Sequence, residues 1–337
     1  MKELGWKTVL GAVGGWRLTR ALTKGSPRVF MFHRFGAEQS AGLLTPGEIR
    51  HFVNRVREAC DFVSMADLVD EMRSRHSRRR PLAAFTVDDG YADFYKVAAP
   101  VLRDLNVPAT VFCTAGFVDE RCWLWWDALR YLIDRCPDGD LEVSIGDEVV
   151  SVTVGAEASR EHAWSCLADR LVRNNSARAR VLQELEQVVG APLPKVPVEE
   201  FAPMSWQQLR EVVSAGFEVG GHTATHAFLP ELPYTELVEE VEGGKRLLES
   251  KLNVEVPTFA YPNGMEYDVS ELVMRVVQEA GFRAAVVAYP RPFSVKRRFE
   301  IGRWSVAPDS TTLDYVLNGA SDVKLRLSPR TWRRSDG

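Results

Sequence analysis

The chain has 337 residues, a formal net charge of -4 and six histidines. This length fits one large domain or two modest ones, and the small negative charge excludes a general nucleic-acid coat, which needs a basic excess. Hydrophobic residues make up 45% and charged residues 26%, which excludes intrinsic disorder. Five scattered cysteines without a C-x-x-C pair exclude a disulfide scaffold and a cysteine-based zinc site, and they fit a reducing compartment.

Residues 1–25 form a basic segment in which Trp6, Trp16 and Leu18 stand among lysines and arginines. This pattern is typical of an amphipathic helix at an anionic membrane surface, and equally of a helix packed on the domain. Its apolar stretch is too short for a signal peptide, and no run approaches the ~20 apolar residues of a membrane-spanning helix. We expect a cytoplasmic protein that can lie at the inner membrane or contact a lipid-linked glycan there.

Short apolar runs alternate with helical patterns along most of the chain. Several of these runs are continuous in Val, Ala and Phe, which is typical of strands covered on both faces. The predicted strands are residues 28–33, 61–64, 82–87, 109–113, 217–220, 258–261, 283–287 and 300–304. Such an alternation predicts an α/β fold with a parallel sheet or barrel.

Capping residues mark where the predicted helices begin and end. Thr45 with Glu48, and Ser205 with Gln208, are capping boxes that start helices. Gly216 and Gly281 each stop a helix, and each is followed by Phe and a strand.

The alternation fails between residues 119 and 200. A Trp-rich helix, a hairpin over residues 141–154 and two charged helices occupy this stretch. We therefore predict one domain of residues 26–118 and 201–320, interrupted by a lid-like inserted subdomain of residues 119–200. The tryptophans at 123, 125 and 126 either form helix core or stack on sugar rings.

Two basic stretches lie outside this scheme. Residues 73–80 hold five arginines and one histidine, which indicates a solvated loop or a contact with an anionic substrate. Residues 321–337 are predicted to be a basic, weakly ordered tail.

Three motifs follow predicted strands and carry the chemistry. Asp88 and Asp89 end the strand at 82–87, where one carboxylate can bind a metal while the other takes a proton. His222 and His226 are four residues apart, a spacing that can bind one cation. The segment Ala260-Tyr261-Pro262-Asn263-Gly264 is a turn that can present backbone N–H groups to an oxyanion.

Each motif taken alone also has an ordinary structural explanation. Asp-Asp-Gly is a common turn, and two histidines on a loop need not bind anything. A zincin protease is excluded because Thr223 stands where that class needs Glu after the first His.

Taken together, the motifs resemble the NodB-type polysaccharide deacetylases. Thr86-Val87-Asp88-Asp89-Gly90-Tyr91 is similar to the family's T-F-D-D-G motif, and His222-Thr223-Ala224-Thr225-His226 matches its H-[ST]-x-x-H motif. The resemblance implies a distorted (β/α) barrel with a mainly helical insertion. It also implies that Asp89, His222 and His226 bind a divalent metal, with zinc favoured over cobalt or nickel, and that Asp88 is the general base.

The sequence departs from the family pattern at two points. Ala260 stands where the family's third motif carries the Arg that orients the base, so we name Arg303 as a candidate substitute. No His follows His226 to supply the general acid, but an apolar strand ends in His33 near the N-terminus. This strand resembles the Tyr-His element of permuted deacetylases that act on poly-N-acetylglucosamine, which makes His33 the candidate acid.

The resemblance implies hydrolysis of the N-acyl group, N-acetyl first, of an amino sugar in a surface glycan or its lipid- or nucleotide-linked precursor. Tyr91, Tyr261, Pro262, Asn263 and Arg303 are the candidate substrate-binding residues. Two alternatives stay open: a small-molecule amidohydrolase of the same fold, and a non-catalytic carbohydrate-binding protein on the same scaffold.

Overall fold

The computed structural model describes residues 15–40, 42–74 and 80–327. Within these ranges, eight parallel strands form one sheet and two antiparallel strands form a separate hairpin. The strands are β1 Arg28–Phe32, β2 Asp61–Phe62, β3 Leu82–Val87, β4 Ala109–Cys113, β5 Gly139–Ile145, β6 Glu148–Val154, β7 Glu218–Gly221, β8 Thr258–Ala260, β9 Ala284–Val287 and β10 Ile301–Gly302. Every predicted strand is present.

The sheet curves into a nearly closed barrel. Its strand order is β1-β3-β4-β7-β8-β9-β10, with β2 paired to β3 outside that path. Trp304, just after β10, returns to β1: its N–H donates to the Val29 carbonyl at 2.8 Å, and the Met31 N–H donates to its carbonyl at 2.9 Å. The predicted distorted (β/α) barrel is confirmed.

Helices cover the outside of the barrel and build the insertion. They are α1 Gly15–Leu22, α2 Pro46–Ala59, α3 Met65–Arg73, α4 Ala99–Asp104, α5 Ala115–Val118, α6 Trp125–Ile133, α7 Glu157–Leu171, α8 Asn175–Val189, α9 Trp206–Ser214, α10 Tyr234–Val238, α11 Gly244–Leu252, α12 Glu271–Glu279, α13 Thr311–Leu317 and α14 Ala320–Leu327. Both predicted capping boxes form, at the start of α2 and of α9. Gly216 and Gly281 follow their helices with φ of 89° and 79°, as the predicted stops require.

The alternation of side chains along β3 decides which carboxylate enters the barrel. Leu82 and Ala84 pack in the cluster inside the barrel, whereas Ala83, Phe85 and Val87 pack against the helices. Because neighbouring side chains in a strand point to opposite faces, Thr86 and then Asp88 share the inward side. The sequence Leu-Ala-Ala-Phe-Thr-Val thus brings one carboxylate to the carboxyl end of the barrel.

The segment from α6 to α8 has a hydrophobic core of its own. The hairpin β5–β6 packs against α7 and α8, and its inward residues Leu141, Val143, Val150 and Val152 join Leu167, Val181 and Leu185 from those helices. The boundaries of the insertion at 119 and 200 stay a prediction.

The chain ends lie only partly within the described residues. The predicted tail begins with helix α14, where Asp322 accepts a hydrogen bond from Ser26 at 2.7 Å and forms an ion pair with Arg326 at 3.2 Å. Helix α14 extends to Leu327, and the basic tail over residues 321–337 stays a prediction. Residues 1–14, 75–79 and 328–337, which hold most of the predicted basic stretches, lie outside the described residues. Among the helices that the structure describes, none is both long and apolar enough to cross a membrane.

Candidate active site

The barrel gathers the predicted site residues at one edge. Asp88 and Asp89 follow β3, His222 follows β7, and only β4 separates these two strands. Because all three strands are parallel, their carboxyl ends meet at the same mouth. The sheet therefore unites motifs that lie more than a hundred residues apart in the sequence.

Asp89, His222 and His226 form a compact buried cluster. One ligand atom from each lies within 4.8 Å of the others. The Asp89 Oδ1 atom is 3.5 Å from His222 Nε2 and 3.8 Å from His226 Nε2. Asp89 and His226 have φ of 74° and 59°, left-handed values that turn both side chains out of the regular path of the chain. One carboxylate and two imidazoles are a donor set that suits zinc and similar divalent metals.

The two histidines are held in different ways. His222 Nδ1 lies 2.7 Å from the Ala260 carbonyl, which leaves its Nε2 for the cluster. The Nδ1 atom of His226 is buried and has no hydrogen-bond partner among the described residues. Burial, together with the neighbouring His222, lowers the pKa of His226 to about 3. A neutral imidazole is the form that ligates a metal, so His226 is ready to bind one.

Glu240 and Gly244 hold the loop that carries the two histidines. The Glu240 carboxylate accepts from the N–H groups of Ala224 and Thr225 at 3.1 and 2.9 Å, and from the Thr225 hydroxyl at 2.6 Å. A Cβ atom on Gly244 would lie only 2.8 Å from the Thr223 carbonyl carbon, so α11 needs glycine to approach this loop. The sequence holds no signal for either residue, because their partners lie on another element.

Asp88 forms a two-point ion pair with Arg303 inside the barrel. The guanidinium Nη1 and Nη2 atoms donate to the two carboxylate oxygens at 2.6 and 2.7 Å. Arg303 also donates to the carbonyl of Val287 at 3.2 Å and to the Thr86 hydroxyl at 3.3 Å. Burial opposes ionisation of Asp88, but the charge and hydrogen bonds of Arg303 outweigh it and lower its pKa to about 2.

Arg303 thus lies where the missing Arg of the third motif was expected to act. Its side chain is only 1% exposed and its guanidinium is fully engaged with the protein. The structure thus places Arg303 against Asp88, and a contact of Arg303 with substrate stays a prediction.

His33 lies at the mouth beside Asp88. Its Nε2 atom is 3.9 Å from Asp88 Oδ2, and its side chain is 46% exposed. The imidazole therefore faces both the carboxylate and solvent, a position open to a molecule that enters the mouth.

Two predicted substrate-binding side chains lie in the core. The Tyr91 hydroxyl donates to Asp127 at 2.6 Å and accepts from the Trp126 indole N–H at 3.0 Å. The Tyr261 hydroxyl donates to the Phe299 carbonyl at 3.0 Å. Both rings are buried, so their hydroxyls face the protein, and substrate binding by these two residues stays a prediction.

The remaining residues of the third motif, the turn at 260–264, are also largely shielded from solvent. Pro262 is also buried, whereas Asn263 is half-buried. The Asn263 amide lies 3.4 Å from the Val172 carbonyl of the insertion, so this turn meets the insertion at the mouth.

The insertion contacts both loops that carry the Asp89, His222 and His226 cluster. The Trp126 ring packs edge-on against His226 with centroids 4.6 Å apart, while its N–H bonds to Tyr91 in the loop after Asp89. From α8, Arg178 lies 3.4 Å from the His226 carbonyl and donates to the Leu171 carbonyl at 2.9 Å. The sequence contained no signal for these contacts, which arise from the docking of α6 and α8.

A parallel barrel with an Arg-held aspartate beside an Asp/His/His cluster is typical of hydrolases that use a bound metal. The family model described as polysaccharide deacetylase matches residues 75–146 and 161–285, more than half of the chain. The chain belongs to the polysaccharide deacetylase family, which places it among the carbohydrate N-deacetylases and confirms the resemblance to the NodB-type enzymes. None of the curated proteins matches the sequence.

Solved structures with the same fold have low sequence identity to the chain. IcaB from Ammonifex degensii is 19% identical with a TM-score of 0.56, and the match covers 87% of this chain and 97% of IcaB. The Streptococcus pyogenes deacetylase PplD in complex with acetate is 15% identical with a TM-score of 0.54, covering 84% and 92%. A de-N-acetylase from Aggregatibacter actinomycetemcomitans is 12% identical with a TM-score of 0.53, covering 88% and 98%. These likenesses show that the chain shares the fold of the three structures.

Removing the cation from the buried pair is expected to destabilise the protein. Arg303→Met leaves the Asp88 carboxylate buried without its partner, so the free energy of unfolding at neutral pH falls by roughly 3–5 kcal/mol. Since the pKa of Asp88 is held below its ordinary value of 3.8, the pair stabilises at neutral pH and loses its effect as pH falls toward about 2. The difference between variant and parent, measured by urea unfolding, therefore shrinks on acidification.

Two further variants control this experiment. Adding Asp88→Asn to Arg303→Met removes the uncompensated charge and restores part of the stability. Arg303→Lys keeps the charge without the two-point hydrogen bonding, so it gives an intermediate loss. Equal unfolding free energies for the parent and Arg303→Met would contradict a stabilising pair.

Asp127 makes stability depend on pH in the opposite sense. Burial raises its pKa to about 7, against a smaller lowering by the Tyr91 hydrogen bond. The folded protein then binds this proton more tightly than the unfolded chain, so stability falls as pH rises from about 4 to 7. Asp127→Asn can still accept from Tyr91 but has no proton to lose.

We expect the Tm of Asp127→Asn, relative to the parent, to rise between about pH 5 and pH 8. The scans are made on chelator-treated protein, because the charge of Asp89 contributes to the shift. A constant Tm difference across this range would show that Asp127 titrates normally.

Proposed function

We propose that the protein removes the N-acetyl group from an amino sugar of a surface glycan or of its lipid- or nucleotide-linked precursor. The observation that carries this proposal is the Asp88 carboxylate, ionised by Arg303 and placed beside the Asp89, His222 and His226 cluster. Membership of the polysaccharide deacetylase family supports the reaction class.

We propose that Asp89, His222 and His226 hold a divalent cation, zinc first, with cobalt or nickel as alternatives. The compact donor set and the buried, unpartnered Nδ1 of a neutral His226 support this assignment. Such an ion, when bound, lowers the pKa of water and polarises a carbonyl group.

The chain's own residues supply the proton transfers. Asp88 accepts a proton from the attacking water, whose oxygen forms a bond with the amide carbon. Arg303 fixes the orientation of Asp88 and keeps it ionised, the state that a base needs. His33 in its protonated form donates to the leaving nitrogen as the C–N bond breaks, which releases acetate and a free amine. Backbone N–H groups of the loops at Tyr91 and Asn263 are the proposed donors to the oxyanion.

The position of the insertion favours a chain end or a short oligosaccharide as substrate. Trp126 from α6 and the Val172 carbonyl from the end of α7 border the mouth at His226 and Asn263. Because the insertion lies along one side of the mouth, it hinders the binding of a long polymer more than the binding of a chain end. The cytoplasmic location stays a prediction.

A mass-spectrometric screen for acyl loss tests the substrate class. N-acetylated sugars, nucleotide-linked N-acetyl sugars and small linear or cyclic amides are incubated with protein loaded with zinc, cobalt or nickel. Loss of acetyl from the sugars supports the proposal, whereas turnover of the small amides alone would support the amidohydrolase alternative. Binding of a sugar without acyl loss from any compound would support a non-catalytic protein.

Asp88→Asn is expected to separate the base from the metal site. Turnover should fall at least about 100-fold because the proton acceptor is lost, while the metal content stays at the parent value. Both are measured on one preparation, by product release and by elemental analysis. Asp93→Asn is the matched control, since Asp93 also pairs with an arginine, Arg34, at 2.6 Å but lies outside the cluster. Parental turnover of Asp88→Asn would refute its role.

Trp126 is expected to contribute to metal affinity by holding His226. Because no hydrogen bond fixes the Nδ1 atom of His226 among the described residues, the packed indole restricts this ring instead. Trp126→Leu should weaken zinc binding by about 10- to 100-fold in a chelator competition, the range found when groups supporting a ligand are removed.

Trp123→Leu is the matched control, because Trp123 packs on Tyr131 and Phe201 away from the cluster. Trp126→Phe keeps an aromatic ring and removes the hydrogen bond to Tyr91, so it separates the two contacts of the indole. Equal zinc affinity in both leucine variants would show that Trp126 does not act on His226.

A further inference from the structure

Helix α1 exposes its leucines, whereas one threonine within it and another directly after it are buried. Leu18 and Leu22 are 63% and 59% exposed, while Thr19 and Thr23 are buried. The two leucines are four residues apart and therefore share one face of the helix. A surface helix normally turns its apolar face to the core, so this arrangement needs an explanation.

The orientation of α1 is fixed by specific contacts. Thr23 donates to the Thr19 carbonyl at 2.8 Å and accepts from buried Arg28 at 2.9 Å. A Cβ atom on Gly319 would lie 1.8 Å from the Thr23 hydroxyl, so the helix is pressed directly on the backbone before α14. Arg20 adds a hydrogen bond to Asn318 at 2.7 Å. The helix cannot turn its leucines inward without breaking these contacts.

The surroundings of the leucines are basic. No acidic residue occurs between Glu3 and Glu38, and Arg17, Arg20 and Lys24 are exposed. A groove of about 380 Å³ beside α1 is lined by Arg20, Lys24, Arg28 and Arg80 together with Glu58, and Arg80 also pairs with Asp61 at 3.3 Å. The local charge is thus positive although the whole chain is slightly negative.

The C-terminal helix α14 adds basic and exposed apolar residues at this end of the molecule. Arg326, which pairs with Asp322, donates to Ser26 at 2.7 Å and so places the end of α14 next to the segment that follows α1. The following residue, Leu327, is 77% exposed. Between these two residues and the start of the helix, Lys324 adds a further cation.

We propose that the exposed face of α1 and the end of α14 bind an anionic phospholipid membrane. The leucines enter the boundary between headgroups and acyl chains, and the cations meet the phosphates. Self-association through the same face would bring two positively charged surfaces together, which favours lipid over a second copy of the chain.

This surface and the candidate active site lie at opposite ends of the barrel. Ser26 precedes the amino end of β1, and His33 follows its carboxyl end. A strand of five residues spans roughly 17 Å, so the mouth faces away from a membrane bound at α1. Membrane binding is therefore separable from hydrolysis, and either proposal can fail without the other.

Co-sedimentation with lipid vesicles tests the proposal on the full chain. We expect binding to vesicles of phosphatidylcholine and phosphatidylglycerol in equal parts, weakening with salt, and little binding to pure phosphatidylcholine. Leu18→Gln with Leu22→Gln should lower the partition coefficient at least about tenfold, because two apolar side chains no longer enter the lipid. Arg17→Gln with Lys24→Gln should lower it about fivefold for each charge removed.

Leu272→Gln with Arg275→Gln is the matched control, since both residues are exposed on another helix, α12. This control should bind like the parent, and all variants should keep the parental Tm and the parental acetyl release from a soluble sugar. Equal binding to both lipid compositions, or no loss in the α1 variants, would overturn the proposal. A lipid-free dimer that the leucine substitutions dissociate would overturn it in favour of a second copy.

Discussion

The buried ion pair between Asp88 and Arg303 is the contact on which the site depends, and it exists only because the barrel closes. The two residues are 215 positions apart. Asp88 ends β3, Arg303 follows β10, and β1 lies between these strands because Trp304 pairs with it. A charge pair inside a barrel costs desolvation energy that packing alone would not require. Its presence at the mouth is best explained by the need for an ionised, oriented carboxylate.

This pair also explains why the third motif can lack its arginine. Ala260 belongs to the apolar cluster inside the barrel, and its carbonyl contacts His222 Nδ1. The Arg303 guanidinium reaches Asp88 from the strand on the other side of β1 and passes over Phe112 at 5.7 Å. Because Arg303 already pairs with Asp88, an arginine at position 260 is not needed for this contact. The arginine that pairs with Asp88 therefore comes from the segment after β10 and not from the third motif.

Local patterns predicted those parts that depend on local physics. Continuous apolar runs and capping residues located the strands and helices, whereas the grouping of Asp89, His222 and His226 was implied by the resemblance of their motifs to those of the deacetylases. Partners on distant elements were not predictable: Glu240, Arg178 and the contact of Trp126 with His226 follow from how helices dock. Tyr91 and Tyr261 look like binding residues in the sequence, but burial gave their hydroxyls partners within the protein. A motif therefore predicts well which residues lie close together. It predicts less well which of their side chains are exposed to solvent.

Strand polarity gives the barrel two ends with different chemistry. Side chains after the carboxyl ends of β3 and β7 are acidic and imidazole groups in a buried cluster, which the insertion borders through Trp126. Side chains before the amino ends of β1 and β3 include Lys24 and Arg80, next to leucines that face solvent. A net charge of -4 averages these two ends and conceals both. Because the parallel strands separate them by the length of the barrel, a lipid surface at one end would leave the other free to receive a sugar.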